Sequence, residues 1–255
     1  MLKDSTQIDR IINNALDEDL GSGDLTTDAI IGPDIIGRAV LEAREDIILA
    51  GLPVFMRVFS ILDPKVSFET FYTDGERVPA GKTVCAIKGR MAPILKAERS
   101  ALNLIQRMSG IATITSHYVE KIGSSRVKIL DTRKTAPGLR LLDKYAVLLG
   151  GGYNHRFGLY DAILIKDNHI AVAGGIRKAI EAARKNAPQG IKIEVEVEEN
   201  NGLNEAIEAG ADIILLDNMS PDQLKKAVKL VSGRALLEAS GGVTIENIKD
   251  IAATG

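Results

Sequence analysis

RVKILDTRKTAPGLRLLDKYAVLLGGGYNHRFGLYDAILIKDNH, residues 126–169, holds two short apolar runs that each end in a cluster of charges. The first, Val127 to Leu130, runs into Asp131, Thr132, Arg133 and Lys134; the second, Ala162 to Ile165, runs into Lys166, Asp167, Asn168 and His169. Between them lie Gly150, Gly151 and Gly152 and the pair His155-Arg156. A solvated charged face would scatter its cations among acids at helical spacing. Charges placed where strands end are instead where a (β/α) barrel or an open parallel sheet puts its chemistry. The stretch therefore predicts an α/β fold with a site for a small anion.

The rest of the C-terminal half repeats the same unit. Apolar runs at 127–130, 162–165, 191–197, 212–216 and 235–239 alternate with amphipathic segments such as GGIRKAIEAARKNAP, NGLNEAIEAGA and PDQLKKAVKLVSG. That alternation predicts parallel β-α units. Lys166, Glu196, Asp217 and Glu238 fall at the predicted strand C-termini, and the last three are spaced by 21 residues each, 217 − 196 and 238 − 217. The spacing predicts one layer of a barrel mouth that presents a polar group each time. Five strands do not close a barrel, and the sequence stops at Gly255 after helical TIENIKDIAATG. An incomplete barrel, or a fragment of a longer chain, is the expectation.

The N-terminal half reads differently. Ile8, Ile11, Ile12, Ala15, Leu16 and Leu20 set a helical period that Gly21-Ser22-Gly23 ends, after which Asp24 or Thr27 can cap a short turn. RAVLEAREDIIL (38–49), VSFETFY (66–72) and RVPAGKTVCAIKG (77–89) read as strands, so this part is expected to be mostly β. Pro93 then opens a long helical pattern with a stripe of Leu95, Leu102, Ile105 and Met108. On that helix Arg99 stands next to Glu98 and reads as an intrahelical pair.

Composition excludes several classes. Hydrophobic residues at 45% and charged residues at 26% are ordinary globular values, and a net charge of -2 argues against a nucleic-acid partner. Cys85 stands alone in an apolar run and reads as buried filler. MLKDSTQIDRII lacks the apolar core of an export signal, and no window reaches the roughly 18 apolar residues of a membrane span. A cytoplasmic protein with neither nucleic acid nor membrane as partner is the expectation.

The motifs narrow the chemistry. In DTRKT (131–135), Arg133 can fork a carboxylate while Lys134 reaches a phosphate, and His155-Arg156 adds an imidazole and a second fork. In EVEVEEN (194–200), Glu194, Glu196 and Glu198 share one face of a strand whose valines turn outward onto helices. Such carboxylates bind sugar hydroxyls, hold Mg²⁺ or stabilise a cationic transition state. Asp217 ends an apolar strand, and Ser240-Gly241-Gly242 precedes a helix expected from about Thr244, which makes either a phosphate turn or an ordinary glycine cap. Cations, carboxylates and a phosphate turn together suit a phosphorylated sugar donor and an acidic acceptor.

EDLGSGDLTT (18–27), GRAVLEAREDIILAGLPV (37–54), KAERSALNLIQRMSGIAT (96–113), the block from Leu130 to Ile170, EVEVE, LLDNMSP and EASGG together resemble the quinolinate phosphoribosyltransferase family, in that family's order and over essentially the whole chain. The resemblance implies an N-terminal α/β sandwich (1–105) followed by an open, incomplete (β/α) barrel (106–255) that lacks its last strand. It implies that quinolinate and phosphoribosyl pyrophosphate give nicotinate mononucleotide, pyrophosphate and carbon dioxide, with Mg²⁺. It also implies a homodimer with shared active sites, or a hexamer. Carried over by position, Arg99 resembles the arginine lent across the dimer. Arg133, His155 and Arg156 resemble the grip on quinolinate and Thr132 a further substrate-binding residue, with Lys134 and Lys166 lying between quinolinate and the donor's phosphates. Glu196 and Asp217 resemble the carboxylates near ribose and metal, and Ser240, Gly241 and Gly242 the phosphate turn. Family members continue past the point matching Gly255, with a further strand and glycine turn. Two rival readings are a Schiff-base lyase using Lys166 or Lys134 and a related protein of molybdate-transport gene clusters.

Overall fold

The computed structural model describes residues 5–255, so the first four residues of the N-terminal stretch read above lie outside it. The chain packs into two compact units. One runs through Val119 and takes in Lys128–His155; the other comprises Glu120–Val127 and Arg156–Gly255.

The first unit opens with helix α1 (Ser5–Leu20), which buries Ile8, Ile11, Ile12 and Leu16 at the predicted period. Asp24 caps α2 (Leu25–Ile30) by accepting the Thr26 and Thr27 N–H groups at 3.1 and 3.0 Å. There follow β1 (Ile36–Glu42), β2 (Ile47–Ile48), α3 (Leu52–Leu62), β3 (Ser67–Thr70), β4 (Arg77–Val78) and β5 (Thr83–Arg90). β5 lies between β1 and β3, antiparallel to both, and β2 pairs with β4. As a central strand β5 buries Val84, Cys85, Ala86 and Ile87 in succession. Burial alone pushes the Cys85 thiol up to about 11, which suits filler rather than a nucleophile.

Helix α3 was not foreseen from the sequence. Gly51 takes the left-handed conformation (φ 95) that starts it, and the Asp74 carboxylate, 23 residues away, accepts the Gly51 and Leu52 N–H groups at 3.1 and 2.9 Å. A Cβ at Gly51 would meet Met108 Sδ at 2.5 Å, so this turn admits only glycine. The helix buries Val54, Phe55, Val58 and Phe59, each contributing roughly 1.5–3 kcal/mol of transfer free energy.

The long helix predicted from Pro93 is α4 (Met91–Ile122). Its buried stripe differs from the expected one: it runs Ile94, Ala97, Ala101, Leu104, Ile105, Met108 and Ala112, while Leu95 is exposed. Small alanines make up part of this stripe, and weighting by side-chain size hid them. After α4 the predicted strand at 127–130 shrinks to one parallel bridge, Leu130 with Tyr153. Tyr153 N–H donates to Ile129 O at 2.8 Å and Asp131 N–H to Tyr153 O at 3.1 Å. The partner segment is cut short by the turn that follows α5 (Arg140–Leu149), so no longer ladder forms.

The second unit carries β6 (Ile163–Ile165), α6 (Asp167–Ala173), α7 (Ile176–Asn186), β7 (Ile193–Val197), α8 (Asn200–Glu208), β8 (Ile213–Asp217), α9 (Pro221–Val231), β9 (Leu236–Ser240) and α10 (Ile248–Ala252). β6-β7-β8-β9 form one parallel sheet in that order, each strand within two residues of its predicted limits. Ile193, Val195, Val197, Ile214 and Leu216 pack against Ile180, Leu203, Ala206, Leu224, Ala227 and Val231 of the helices. By alternation the other face carries Glu194, Glu196, Asp217, Glu238 and Ser240. The register corrects the expected single layer. Glu196 is level with Leu215 and Leu215 with Glu238, whereas Asp217 is level with Ser240, two residues nearer the strand C-termini. The equal spacing of 21 conceals unequal crossovers, because α8 and α9 differ in length. Among the described residues, no helix is long and apolar enough to cross a membrane.

Candidate active site

In the first unit the DTRKT segment is held by α5. Arg140 donates to Thr135 Oγ1 at 3.1 Å and to Arg133 O at 3.4 Å, and Ala136 N–H donates to Asp143 at 3.3 Å. Thr132 Oγ1 accepts the Lys134 N–H at 3.0 Å. With the backbone fixed in this way, the Lys134 side chain is exposed, and the buried Nε of Arg133 has no hydrogen-bond partner. A guanidinium N–H left unsatisfied by the protein is costly unless a ligand accepts it.

His155 is joined to the same segment through its backbone. Its N–H donates to Asp131 Oδ1 at 2.9 Å, and its carbonyl accepts from Lys144 Nζ at 3.0 Å. Lys144 is fully buried and also bonded to Asp131, which accepts from Asn154 as well. Sequence reading passed over Lys144 and Asn154. A lysine inside the apolar run RLLDKYAVLL was the available signal.

The glycines before His155 serve packing rather than ligand approach. A Cβ at Gly150 would meet Thr115 Cβ at 2.6 Å, and one at Gly152 would meet Val147 Cγ1 at 2.7 Å. Arg99 is exposed on α4, and among the described residues neither it nor Glu98 has an ion-pair partner, so the intrahelical pair is not formed.

In the second unit, Lys166 follows β6 and its ammonium lies 3.2 Å from Glu196 Oε2, with Glu196 mostly covered. His169 is turned away from such chemistry: its Nδ1 accepts the Lys166 backbone N–H at 2.9 Å and so caps α6. Arg156 donates to Ala162 O at 3.3 Å. Glu194 is buried on the face that Glu196 shares, while Glu198, beyond the end of β7, is exposed.

Asp217, at the end of β8, accepts from the Asn218 side chain at 2.8 Å. Its register partner Ser240 leads into Gly241 and Gly242, both left-handed at φ 88 and 61. The helix expected from Thr244 starts only at Ile248. Asn247 accepts the Thr244 N–H and donates to Gly242 O, both at 2.8 Å, which closes a turn before any helix can begin.

The family model described as "Quinolinate phosphoribosyl transferase, C-terminal domain" matches residues 111–255, and its N-terminal counterpart matches residues 24–109. The chain belongs to the quinolinate phosphoribosyl transferase family. The boundary between the two family domains falls inside α4. A Bacillus subtilis relative named "Probable nicotinate-nucleotide pyrophosphorylase [carboxylating]" is 45% identical over 249 residues, 98% of this chain and 86% of its own. A Nicotiana tabacum relative, "Quinolinate phosphoribosyltransferase [decarboxylating] 2a, mitochondrial", is 41% identical over 264 residues, 96% of this chain and 75% of its own. Among solved structures, NadC from Streptococcus pyogenes superposes with a TM-score of 0.92 at 48% identity, covering 95% of this chain and 86% of that one. The mixed α/β fold of the chain, a small N-terminal sheet and a C-terminal parallel sheet, is thus shared with its solved relatives.

Proposed function

We infer that the chain transfers the phosphoribosyl group of phosphoribosyl pyrophosphate to quinolinate and decarboxylates the product, giving nicotinate mononucleotide, pyrophosphate and carbon dioxide. Family membership supports this, and the Lys166–Glu196 pair at 3.2 Å carries the assignment of chemistry to this face of the sheet. A cation and a carboxylate on adjacent strand ends serve a reaction that brings anions together and builds positive charge on a sugar. An ion-paired lysine is a charge partner rather than the free amine a Schiff-base lyase requires.

In this reading Arg99, Thr132, Arg133, His155 and Arg156 take the acidic acceptor, and the unsatisfied Nε of Arg133 supplies a donor for one carboxylate. Lys134 and Lys166 offset the charge of carboxylate and phosphate. The pyridine nitrogen lone pair forms the bond to the anomeric carbon as the C–O bond breaks and its electrons leave with pyrophosphate. Glu196 and Asp217 stabilise the positive charge that develops on the sugar. The quaternised ring then accepts the electrons of the C–C bond to the adjacent carboxylate, carbon dioxide departs, and the ring carbon takes a proton from water. No covalent bond to the protein is needed.

Ser240, Gly241 and Gly242 are assigned to the donor's phosphate through their backbone. Glu196 and Asp217 offer the hard carboxylate oxygens that suit Mg²⁺, which would neutralise pyrophosphate charge when bound with the donor. A homodimer is proposed from the exposed, unpaired Arg99, and a reducing cytoplasm from the lone buried Cys85. Carbon dioxide release from carboxyl-labelled quinolinate, dependent on phosphoribosyl pyrophosphate, tests the activity. Lys166→Ala should cost about 2–4 kcal/mol of transition-state stabilisation, read mainly in kcat. Release that ignores the donor would overturn the proposal.

A further inference from the structure

Asn218 touches both Asp217 at the end of β8 and Gly241 in the turn after β9. Among the described residues only Asn218 and Ser232 take a positive φ without being glycine, at 53 and 47. Ser232 caps the end of α9, an ordinary place for that conformation. Asn218 instead follows a strand directly. Its backbone N–H donates to Ser240 O at 2.8 Å, which carries the β8–β9 ladder one residue past the Asp217–Ser240 level. Its side-chain amide donates to Asp217 Oδ2 at 2.8 Å. The same residue lies against Gly241, where a Cβ would meet the Asn218 backbone nitrogen at 2.8 Å and the side-chain amide closer still.

We propose that Asn218 is a positioning residue for the phosphoribosyl donor, aiming the Asp217 carboxylate and fixing the Gly241-Gly242 turn relative to it. This rests on the functional reading above, in which Asp217 takes the ribose side of the donor and the glycine turn its phosphate. A carboxylate at a strand end rotates freely about its side-chain torsions unless something holds one oxygen. The Asn218 amide holds Oδ2 and leaves Oδ1 to a ligand. The left-handed backbone brings the amide back over its own strand end, and it requires glycine at 241.

The alternative is that Asn218 is present only because asparagine tolerates a left-handed turn. Asn218→Gly separates the two. Glycine adopts that φ without strain and keeps the N–H donated to Ser240 O, so only the amide is lost. Calorimetric titration with phosphoribosyl pyrophosphate and Mg²⁺, without quinolinate, should show donor affinity reduced about tenfold in Asn218→Gly, the worth of one hydrogen bond to a charged group. Its Tm and its KM for quinolinate should match the wild type. Asn218→Asp, which sets a second carboxylate beside Asp217, should bind the donor more weakly still. Wild-type donor affinity in Asn218→Gly overturns the proposal, and so does an equal loss in Tm and in the KM for both substrates. A wild-type protein that binds no donor would instead overturn the functional reading, and the role of Asn218 with it.

Discussion

Lys144 Nζ, fully buried, binds Asp131 and the carbonyl of His155, so one ammonium ties the start of the DTRKT segment to the backbone three residues past the glycines. Asp131 answers with three bonds of its own, to Lys144, to the Asn154 amide and to the His155 N–H. The pair thereby joins the segment that carries Arg133 and Lys134 to the backbone of His155.

Removing half of that pair should be severe. Lys144→Met keeps the volume but leaves the buried Asp131 carboxylate without its cation, and about 3–5 kcal/mol of stability should be lost. Urea denaturation checks this. The double variant Lys144→Met/Asp131→Asn, which removes both charges, should be more stable than the single one. A single variant as stable as the wild type would show that the pair is dispensable.

Acid should unfold the first unit partly through Asp63. Arg90 donates Nε–H to Asp63 Oδ2 at 2.9 Å, and this bond, with the Lys65 backbone N–H at 3.1 Å, holds the buried Asp63 carboxyl below the usual range. A depressed folded-state value contributes stability that is present above the unfolded value of about 3.9 and is lost as pH falls through the folded one. Asp63→Asn should therefore lower stability at neutral pH and flatten the decline below about pH 4. Denaturation midpoints across that range decide it, and an equally steep decline in both proteins would assign the acid sensitivity elsewhere.

Arg99 has a test that depends on symmetry. Arg99→Ala and Lys166→Ala should each be nearly inactive alone. If a two-fold dimer lends Arg99 across its interface, co-refolding the two variants gives mixed dimers with one intact site, and about a quarter of all sites should recover. Absence of recovery in verified mixed dimers would confine Arg99 to its own subunit or remove it from the reaction.

The parallel half of the fold was legible because it is written in long-period alternation. β7, β8 and β9 lie within two residues of where apolar runs place them, and the outward valines and inward glutamates of EVEVE follow from the two-residue period. Features set by distant partners were not legible. α3 depends on Asp74 for its start, the 127–130 segment on a partner too short to extend it, and the GGG run on the shape of α4. Among the candidate residues, Arg133, Lys166, Glu196 and Asp217 were visible in the sequence as charges that end apolar runs. Lys144, Asn154 and Asn218 escaped notice because they act through other residues, and local spacing carries no record of that.

The alternation in β7 also acts as a proofreading device. A slip of one residue against β8 would drive Glu194 and Glu196 into the layer occupied by Ile180 and Leu203, and would turn Val195 and Val197 toward the polar face. Such a molecule would not be a sluggish catalyst, because two carboxylates buried among aliphatic side chains would prevent the unit from folding at all. Only chains with the acids on the correct side survive to be enzymes, so quality control on the fold is at the same time quality control on the chemistry.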